Sequence, residues 1–394
     1  MDDEYDYDVN GTDLSCTYMG TDHIEVKIYL IGVFATLIAI LSIIFNGFFT
    51  LVFVTNQSVR RSSVFYFGIL AIIDAIMAVN YLAVMSLPVY MDYYHYLPMY
   101  RFFLSYFRVV LTESNCAMFA SMLLIVLVTT ERLLRTFEGK GFHRCRKFLE
   151  KHRPAVCAFC IIVAVAYKIC MYWEIDVLFK SDCDEGWEQY EIVAGPLVAY
   201  EGYRFWWMFL TRNLLDRILP FFALVAMNYI IIKALKKEYV RQRPKHRLNE
   251  KPEKAKRSSL RDATRALIGV VTMYILSQSL QVLLTFWETI DKASLETDLA
   301  VLYSYLNDIV SIMTLLSSCL RFPVYCACNR VIYTASKQTL LRFVNRKKKE
   351  MHSTTDYSVI TDTMKQETPT SDVVVNGNHM MGAIYDEKLQ EWQL

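Results

Sequence analysis

Seven separate stretches of this 394-residue chain are each long and apolar enough to cross a lipid bilayer, and nothing else in it restricts the fold so strongly. A spanning helix needs about 20 mostly apolar residues, because every backbone N–H and C=O must find its partner inside the segment once water is excluded. The blocks cover roughly residues 28–54, 64–87, 103–130, 154–175, 207–235, 265–288 and 300–328. With 54% apolar and 21% charged residues, the apolar ones gathered in blocks, the chain does not resemble a soluble enzyme or a disordered scaffold. The expected class is an all-α membrane protein, a seven-transmembrane helix bundle. No signal peptide is expected ahead of it, since the first 26 residues are acidic and lack a basic start.

The near-neutral total, 42 basic against 40 acidic residues, hides a segregation that sets the expected orientation. Eight acids and no Lys or Arg lie in the first 26 residues. Arg60 and Arg61 follow span one; Arg135, Lys140, Arg144, Arg146, Lys147, Lys151 and Arg153 follow span three; a longer basic run follows span five, and NRKKK follows span seven. Basic loops stay on the cytoplasmic side. The N-terminus is therefore expected outside, the C-terminus inside, and the chain in the plasma membrane. Four regions follow: an acidic extracellular tail (1–27), the bundle (28–328), an amphipathic inner-surface helix with a basic segment (329–349) and a disordered cytoplasmic tail (350–394).

Asn10-Gly11-Thr12 is a glycosylation sequon on the outer tail, whereas Asn56-Gln57-Ser58 is expected inside and unused. Val331, Ile332, Leu340, Leu341 and Phe343 alternate with basic residues, as suits a helix lying on the inner leaflet. The tail from about 350 offers Thr361, Thr363, Thr368, Thr370 and Ser371 for phosphorylation. Ten cysteines show no zinc-like spacing, and Cys157-x-x-Cys160 lies inside span four. No Walker loop, HExxH or exposed GxSxG appears. No enzymatic activity, cofactor, metal or nucleic-acid partner is expected.

Several motifs together resemble those of rhodopsin-like G-protein-coupled receptors. Thr130-Glu131-Arg132-Leu133 ends span three like Glu/Asp-Arg-Tyr, Phe45-Asn46-Gly47 is similar to the Gly-Asn element of span one, and Leu70-Ala71-Ile72-Ile73-Asp74 matches Leu-Ala-x-x-Asp. Pro220 with Asn228 and Tyr229 occupies the family's place in span five, and Phe322-Pro323-Val324-Tyr325 is similar to Asn-Pro-x-x-Tyr. The resemblance covers about residues 28–345. Departures are clear: Leu133 for Tyr, Ser277-Gln278-Ser279-Leu280 for Cys-Trp-x-Pro, no mid-helix Trp in span four, Arg321 where Asn is expected, and no Cys at the top of span three near Phe107. The pattern looks most like divergent, nematode-like invertebrate neuropeptide receptors of the FMRFamide type. Span seven lacks the lysine of opsins, and Ser114 stands where amine receptors carry Asp.

The resemblance implies an outer ligand, a heterotrimeric G protein inside, and arrestin and a receptor kinase acting on the tail. It implies that Glu131 holds Arg132 at rest and that Arg132 engages the G protein with support from Asn228, Tyr229 and Tyr325. In the family the aspartate equivalent to Asp74 helps bind sodium; here the residues suggest a polar core of Asn46, Asp74 and Arg321, in which Arg321 either pairs with Asp74 in place of that ion or snorkels to the inner headgroups. Ionisable residues inside a span are costly and usually functional. Arg108, Glu113, Lys168, Arg212 and Asp216, with Gln278 and Gln281, all fall in the outer half and are candidates for ligand binding; salt bridges such as Asp216 with Arg108 or Lys168 are the competing reading. With no span-three cysteine, Cys16 with Cys183 is the simplest outer pair; the alternatives are a free Cys16 or Cys183 joined to Cys170. The acidic outer segments and Tyr90, Tyr93, Tyr94 and Tyr96 between spans two and three suit a short basic peptide with an amidated aromatic end. A chemosensory receptor for small molecules and, further off, a transporter or channel are the alternatives.

Overall fold

The computed structural model describes residues 16, 18, 20–60, 64–137, 139–181, 183, 186–242, 251–291, 294, 297 and 299–345. Asn10 and the phosphorylatable tail lie outside the described residues. The chain divides into two compact units, Met1–Thr339 and Leu340–Leu394; in the second, residues 340–345 are helical and expose Leu340, Leu341 and Phe343.

Among the described residues, seven helices are long and apolar enough to span a membrane: Ile24–Thr55, Phe65–Tyr94, Leu97–Leu134, Arg153–Trp173, Tyr203–Lys237, Thr264–Ile290 and Ala300–Cys328. They pack in sequence order, span seven closes back on span one, and span three sits centrally against spans two, four, five and six. Their solvation is inverted relative to a soluble protein. Phe34, Leu37, Ile44, Phe159, Ile162 and Leu283 face outward, while Ser42, Asn46, Asp74, Asn80, Ser121, Lys168, Asn228, Ser318 and Arg321 are buried. Lipid is as apolar as leucine, so close packing and internal polar contacts hold such helices together rather than hydrophobic exclusion. Gly68 shows the packing requirement: a Cβ there would overlap the Phe53 ring of span one.

Two ends of the bundle are distinguished below. At the disulfide end, Cys16 is joined to Cys183, with 5.5 Å between their Cα atoms. The opposite, arginine end holds Arg132 and the helix Lys140–Lys151 between spans three and four. Here too Asn329 caps a further helix, its Oδ1 accepting from the amides of Val331 (3.0 Å) and Ile332 (3.4 Å). That helix buries Ile332 and binds Asn56 Nδ2 through Thr339 Oγ1 at 3.0 Å.

Three features depart from the sequence expectation. The segment between spans four and five, read as an acidic loop, contains an antiparallel hairpin of β1 (Ile175–Phe179) and β2 (Tyr190–Ala194), with Ile175 opposite Ala194. The aromatic loop expected between spans two and three is almost absent. Tyr90, Tyr93 and Tyr94 belong to span two itself, which stops at His95, a left-handed residue (φ 48°) whose neighbour Tyr96 returns its N–H to the Met91 carbonyl at 3.1 Å. Finally, spans one, two and five contain π-helical stretches at Ile28–Ala35, Leu82–Ser86, Tyr203–Thr211 and Asn213–Ile218. Threonine hydroxyls record the wider turn: Thr36 reaches the carbonyl five residues back (Ile31, 3.1 Å) and so does Thr211 (Trp206, 2.7 Å), whereas Thr112 in span three reaches four back. Proline accounts for two of these stretches. Pro88 and Pro220 follow directly, and each lacks an N–H and crowds the carbonyl four residues earlier, a conflict that a wider turn relieves.

Candidate functional site: a polar cavity above a buried ion pair

Toward the disulfide end the helices enclose a cavity of about 450 Å³, within the usual range for small-ligand sites. Spans two through seven all contribute. Four of the seven ligand candidates line it: Lys168, Asp216, Gln278 and Gln281. Lys168 Nζ is hydrogen-bonded to Asp216, the pairing that the competing reading named, so two charged candidates meet each other across spans four and five. Gln278 donates to Thr314 Oγ1 at 3.3 Å, joining spans six and seven. The π turns ahead of Pro220 carry Asp216 and Arg217 into this wall; Arg217 reaches Thr285 Oγ1 at 3.0 Å and lies 3.8 Å from Glu288.

The other three candidates do not reach the cavity. Arg108 turns to the span-four end, donating to the Tyr172 carbonyl (2.5 Å) and to Asp176 (3.2 Å) with its guanidinium 4.1 Å from the Tyr172 ring centre. Arg212 pairs with the buried Glu174, which also accepts from the Tyr203 hydroxyl. Glu113 accepts a hydrogen bond from Asn80 on the outer side of span three, while its neighbour Ser114, about 100° around the helix, lines the cavity. For Arg108 and Arg212 the reason is shared: an arginine toward the end of a span finds a counter-charge where the chain leaves the bundle, at Asp176 and Glu174, before it reaches the centre.

Arg321 forms part of the cavity floor. Its Nη1 donates to Asp74 Oδ1 at 2.5 Å and to Ser121 Oγ at 3.1 Å, with the two charged side chains only 3% and 1% exposed. Spans two, three and seven are thus tied at one point, and Arg321 does not snorkel. Asn46 stands nearby but bonds Ser42 Oγ (3.1 Å) and the Ser318 carbonyl (3.3 Å), joining span one to span seven. One turn beyond Arg321, Tyr325 is buried and stacked on Phe67, ring centres 4.4 Å apart.

At the arginine end the charges gather around Glu131, with partners beyond its neighbour Arg132. Glu131, fully buried, receives Arg135 at 2.9 Å and Arg153 at 3.4 Å, so its carboxylate bridges span three to span four; Arg135 goes on to Glu150 at 2.7 Å. Arg135, one turn on at i+4, lies over Glu131 on the same helix face. Arg132 is itself 1% exposed. Asn228 is buried and donates to Thr272 Oγ1 at 3.3 Å, but its neighbour Tyr229, about 100° around the helix, is 65% exposed.

Residues missed in the sequence include Asn80, Asn115 and Asn307, amides inside apolar blocks that the reasoning applied to Gln278 would have found. Asp92 was missed as well. It accepts Tyr18 Oη (2.7 Å) and the Thr21 amide (2.7 Å), so the N-terminal segment is fastened to span two as well as by its disulfide. Tyr18 also packs against Tyr100 and Trp187, whose rings stack on each other with centres 4.8 Å apart. Burial and the Asp92 carboxylate hold its phenol above the ordinary range, which keeps it protonated as a donor.

No protein-family model matches this chain, and no curated protein matches its sequence. What fold and site define is a seven-span, multi-pass membrane bundle with an internal polar cavity.

Proposed function

We propose that this chain is a plasma-membrane receptor of the G-protein-coupled type, with the disulfide end outside and the arginine end in the cytoplasm. The observation that carries the reading is the continuity from cavity to ion pair: one side chain, Arg321, is both floor of the cavity and partner of Asp74. An occupant there acts on the junction of three helices, and it shifts the resting equilibrium by the difference in its affinity for the two arrangements. The segregation of basic loops to the arginine end supports the orientation, and the motif around Arg132 supports nucleotide exchange on a heterotrimeric G protein as the output. Arrestin and a receptor kinase would act on the tail, and the chain would not be an enzyme.

For the ligand, a short basic peptide with an amidated aromatic end remains the leading reading. The test is heterologous expression with calcium and cAMP readouts against peptides of matched length, comparing amidated Arg-Phe ends with free-acid and Arg→Gln versions. Response to the amidated basic peptides is expected, and equal potency across the panel would remove the ligand assignment. The modest volume and the mutual pairing of Lys168 with Asp216 favour a small polar molecule as the second reading, and activation by small molecules alone would establish it.

A further inference from the structure

The helix Lys140–Lys151 connecting spans three and four has no buried residue, although a 12-residue helix is marginal in water by itself. Its ties to the bundle are the Glu150–Arg135 ion pair and ring contacts of Phe142 with Phe137 and Phe148 with His152, which leave most of its surface uncovered. Its sequence, KGFHRCRKFLEK, separates cleanly by face. At about 100° per residue, Phe142, Cys145, Phe148 and Leu149 share an arc of about 120°, and Lys140, His143, Arg144, Arg146, Lys147 and Lys151 occupy the other side. Phe142 and Phe148 are 48% and 59% exposed. Glu150 is taken by Arg135 and Arg146, which leaves Lys140, Arg144, Lys147 and Lys151 without an acidic partner among the described residues. Lys140, His143, Arg144 and Lys147 ring one shallow hollow.

Place and chemistry then agree. Leu134 ends span three and Arg153 opens span four, so both ends of this helix are held at the rim of the membrane-spanning bundle. An apolar arc beside a cationic face, fixed at that depth, matches the headgroup layer of a bilayer, with rings among the upper acyl carbons and cations among phosphates. We propose that the helix Lys140–Lys151 lies in that layer and binds anionic phospholipid through Lys140, Arg144 and Lys147. The inference does not depend on the receptor reading, since a transporter with this bundle would hold the helix at the same depth.

Cys145 provides the probe, being the exposed free cysteine among the described residues and lying in the apolar arc. The full chain is labelled there with an environment-sensitive bimane, with Cys145→Ser as background, and reconstituted into vesicles of phosphatidylcholine alone or with phosphatidylserine as a minority component. In the mixed vesicles the emission is expected to shift to the blue and to be quenched by lipids brominated on their upper acyl carbons. Both effects should be weaker in phosphatidylcholine, be reduced by salt, and be unmoved by inorganic phosphate added to phosphatidylcholine vesicles. Each of K140Q, R144Q and K147Q should lower the preference for phosphatidylserine about fivefold. F142S should reduce quenching in both vesicles while the shape of the phosphatidylserine dependence is kept. A label that stays in water in every vesicle, equal quenching with and without phosphatidylserine that survives all three substitutions, or protection only when a soluble protein is added would each overturn the proposal.

Discussion

Neutralising one member of the Asp74–Arg321 pair should cost far more than neutralising both. The two charges are almost completely buried, 1% and 3% exposed, with Nη1 2.5 Å from Oδ1. At a separation of charge centres of about 4 Å and an effective dielectric constant of about 20, their attraction is about 4 kcal/mol. Removing each ion from water costs several kcal/mol, so the pair as a whole is close to balanced, while a single unmatched member costs about 3–5 kcal/mol. The two singles should also differ. An isolated buried carboxyl can shed its charge by binding a proton, but a guanidinium cannot lose one. Asp74→Asn, which strands Arg321, should therefore be worse than Arg321→Gln, with Ser121 Oγ its remaining contact at 3.1 Å.

The assay is thermal unfolding of detergent-purified protein with a thiol-reactive dye reporting on the buried Cys157 and Cys319, alongside the amount at the cell surface. Both singles should unfold earlier than wild type, Asp74→Asn the more so, and the double neutral variant should lie closer to wild type than either. The exchanged pair Asp74→Arg with Arg321→Asp should recover part of the surface level lost by the singles. Additive losses in the double variant, or singles as stable as wild type, would refute the reasoning, because residues that share one interaction cannot contribute independently.

Further expectations follow from other contacts. Asp216→Asn strands Lys168 and should lower stability by about 1–3 kcal/mol in the same thermal assay, with Lys168→Gln in the double variant restoring part of it. Cys16→Ser and Cys183→Ser should each lower stability and ligand affinity, and the double should be no worse than either single; the loss should fall below the about 4–5 kcal/mol of a long soluble loop, because inserted helices already restrict the unfolded chain. Pro220→Ala returns an N–H to the Asp216 carbonyl and should tighten the π turns, which a changed distance between one label on span four and one on span five would report; an unchanged distance would refute it. Arg132→Ala should abolish G-protein nucleotide exchange at near-normal surface level; wild-type signalling would remove the motif assignment.

The spans were legible because the bilayer sets a length that the sequence must match: expected and observed limits differ mainly at the ends, as with 103–130 against Leu97–Leu134. The deep pair was legible for a related reason, since an aspartate and an arginine within apolar blocks at similar depth have few other ways to be satisfied. Facing direction was harder to read. Glu113 and Tyr229 sit one residue from positions that do face inward, and an error of about 100° places a side chain outside. The π turns leave no periodic signature in an evenly apolar segment, although Pro88 and Pro220 mark where they end. Arg108 and Arg212 were misplaced because their acidic partners, Asp176 and Glu174, lie at the hairpin, whose strands Ile175–Phe179 and Tyr190–Ala194 were hidden among loop acids.

That last error changes the electrostatic argument for a ligand. The sequence suggested an outer surface of one sign, but several of its acids are already engaged: Glu174 by Arg212, Asp176 by Arg108, Glu191 by Lys180 at 2.8 Å, and Glu288 by Arg217 at 3.8 Å. Inside the cavity the charges also meet in pairs, Lys168 with Asp216 and Arg321 with Asp74. What an incoming molecule meets is therefore an arrangement of dipoles from Asn80, Asn115, Gln278, Gln281 and Asn307 rather than a field of one sign. Long-range steering of a cation then rests on acids beyond these pairs, and selectivity inside rests on hydrogen-bond geometry. Salt and specificity should accordingly separate for a basic peptide: raising ionic strength should slow its association, as steering by unpaired outer acids requires, while substitution of Gln278 or Asn307 should speed its release at any salt concentration. If ionic strength instead changed release and left association alone, the paired charges in the wall would have to open to the ligand, and the balanced cavity described above would be the wrong description of its bound state.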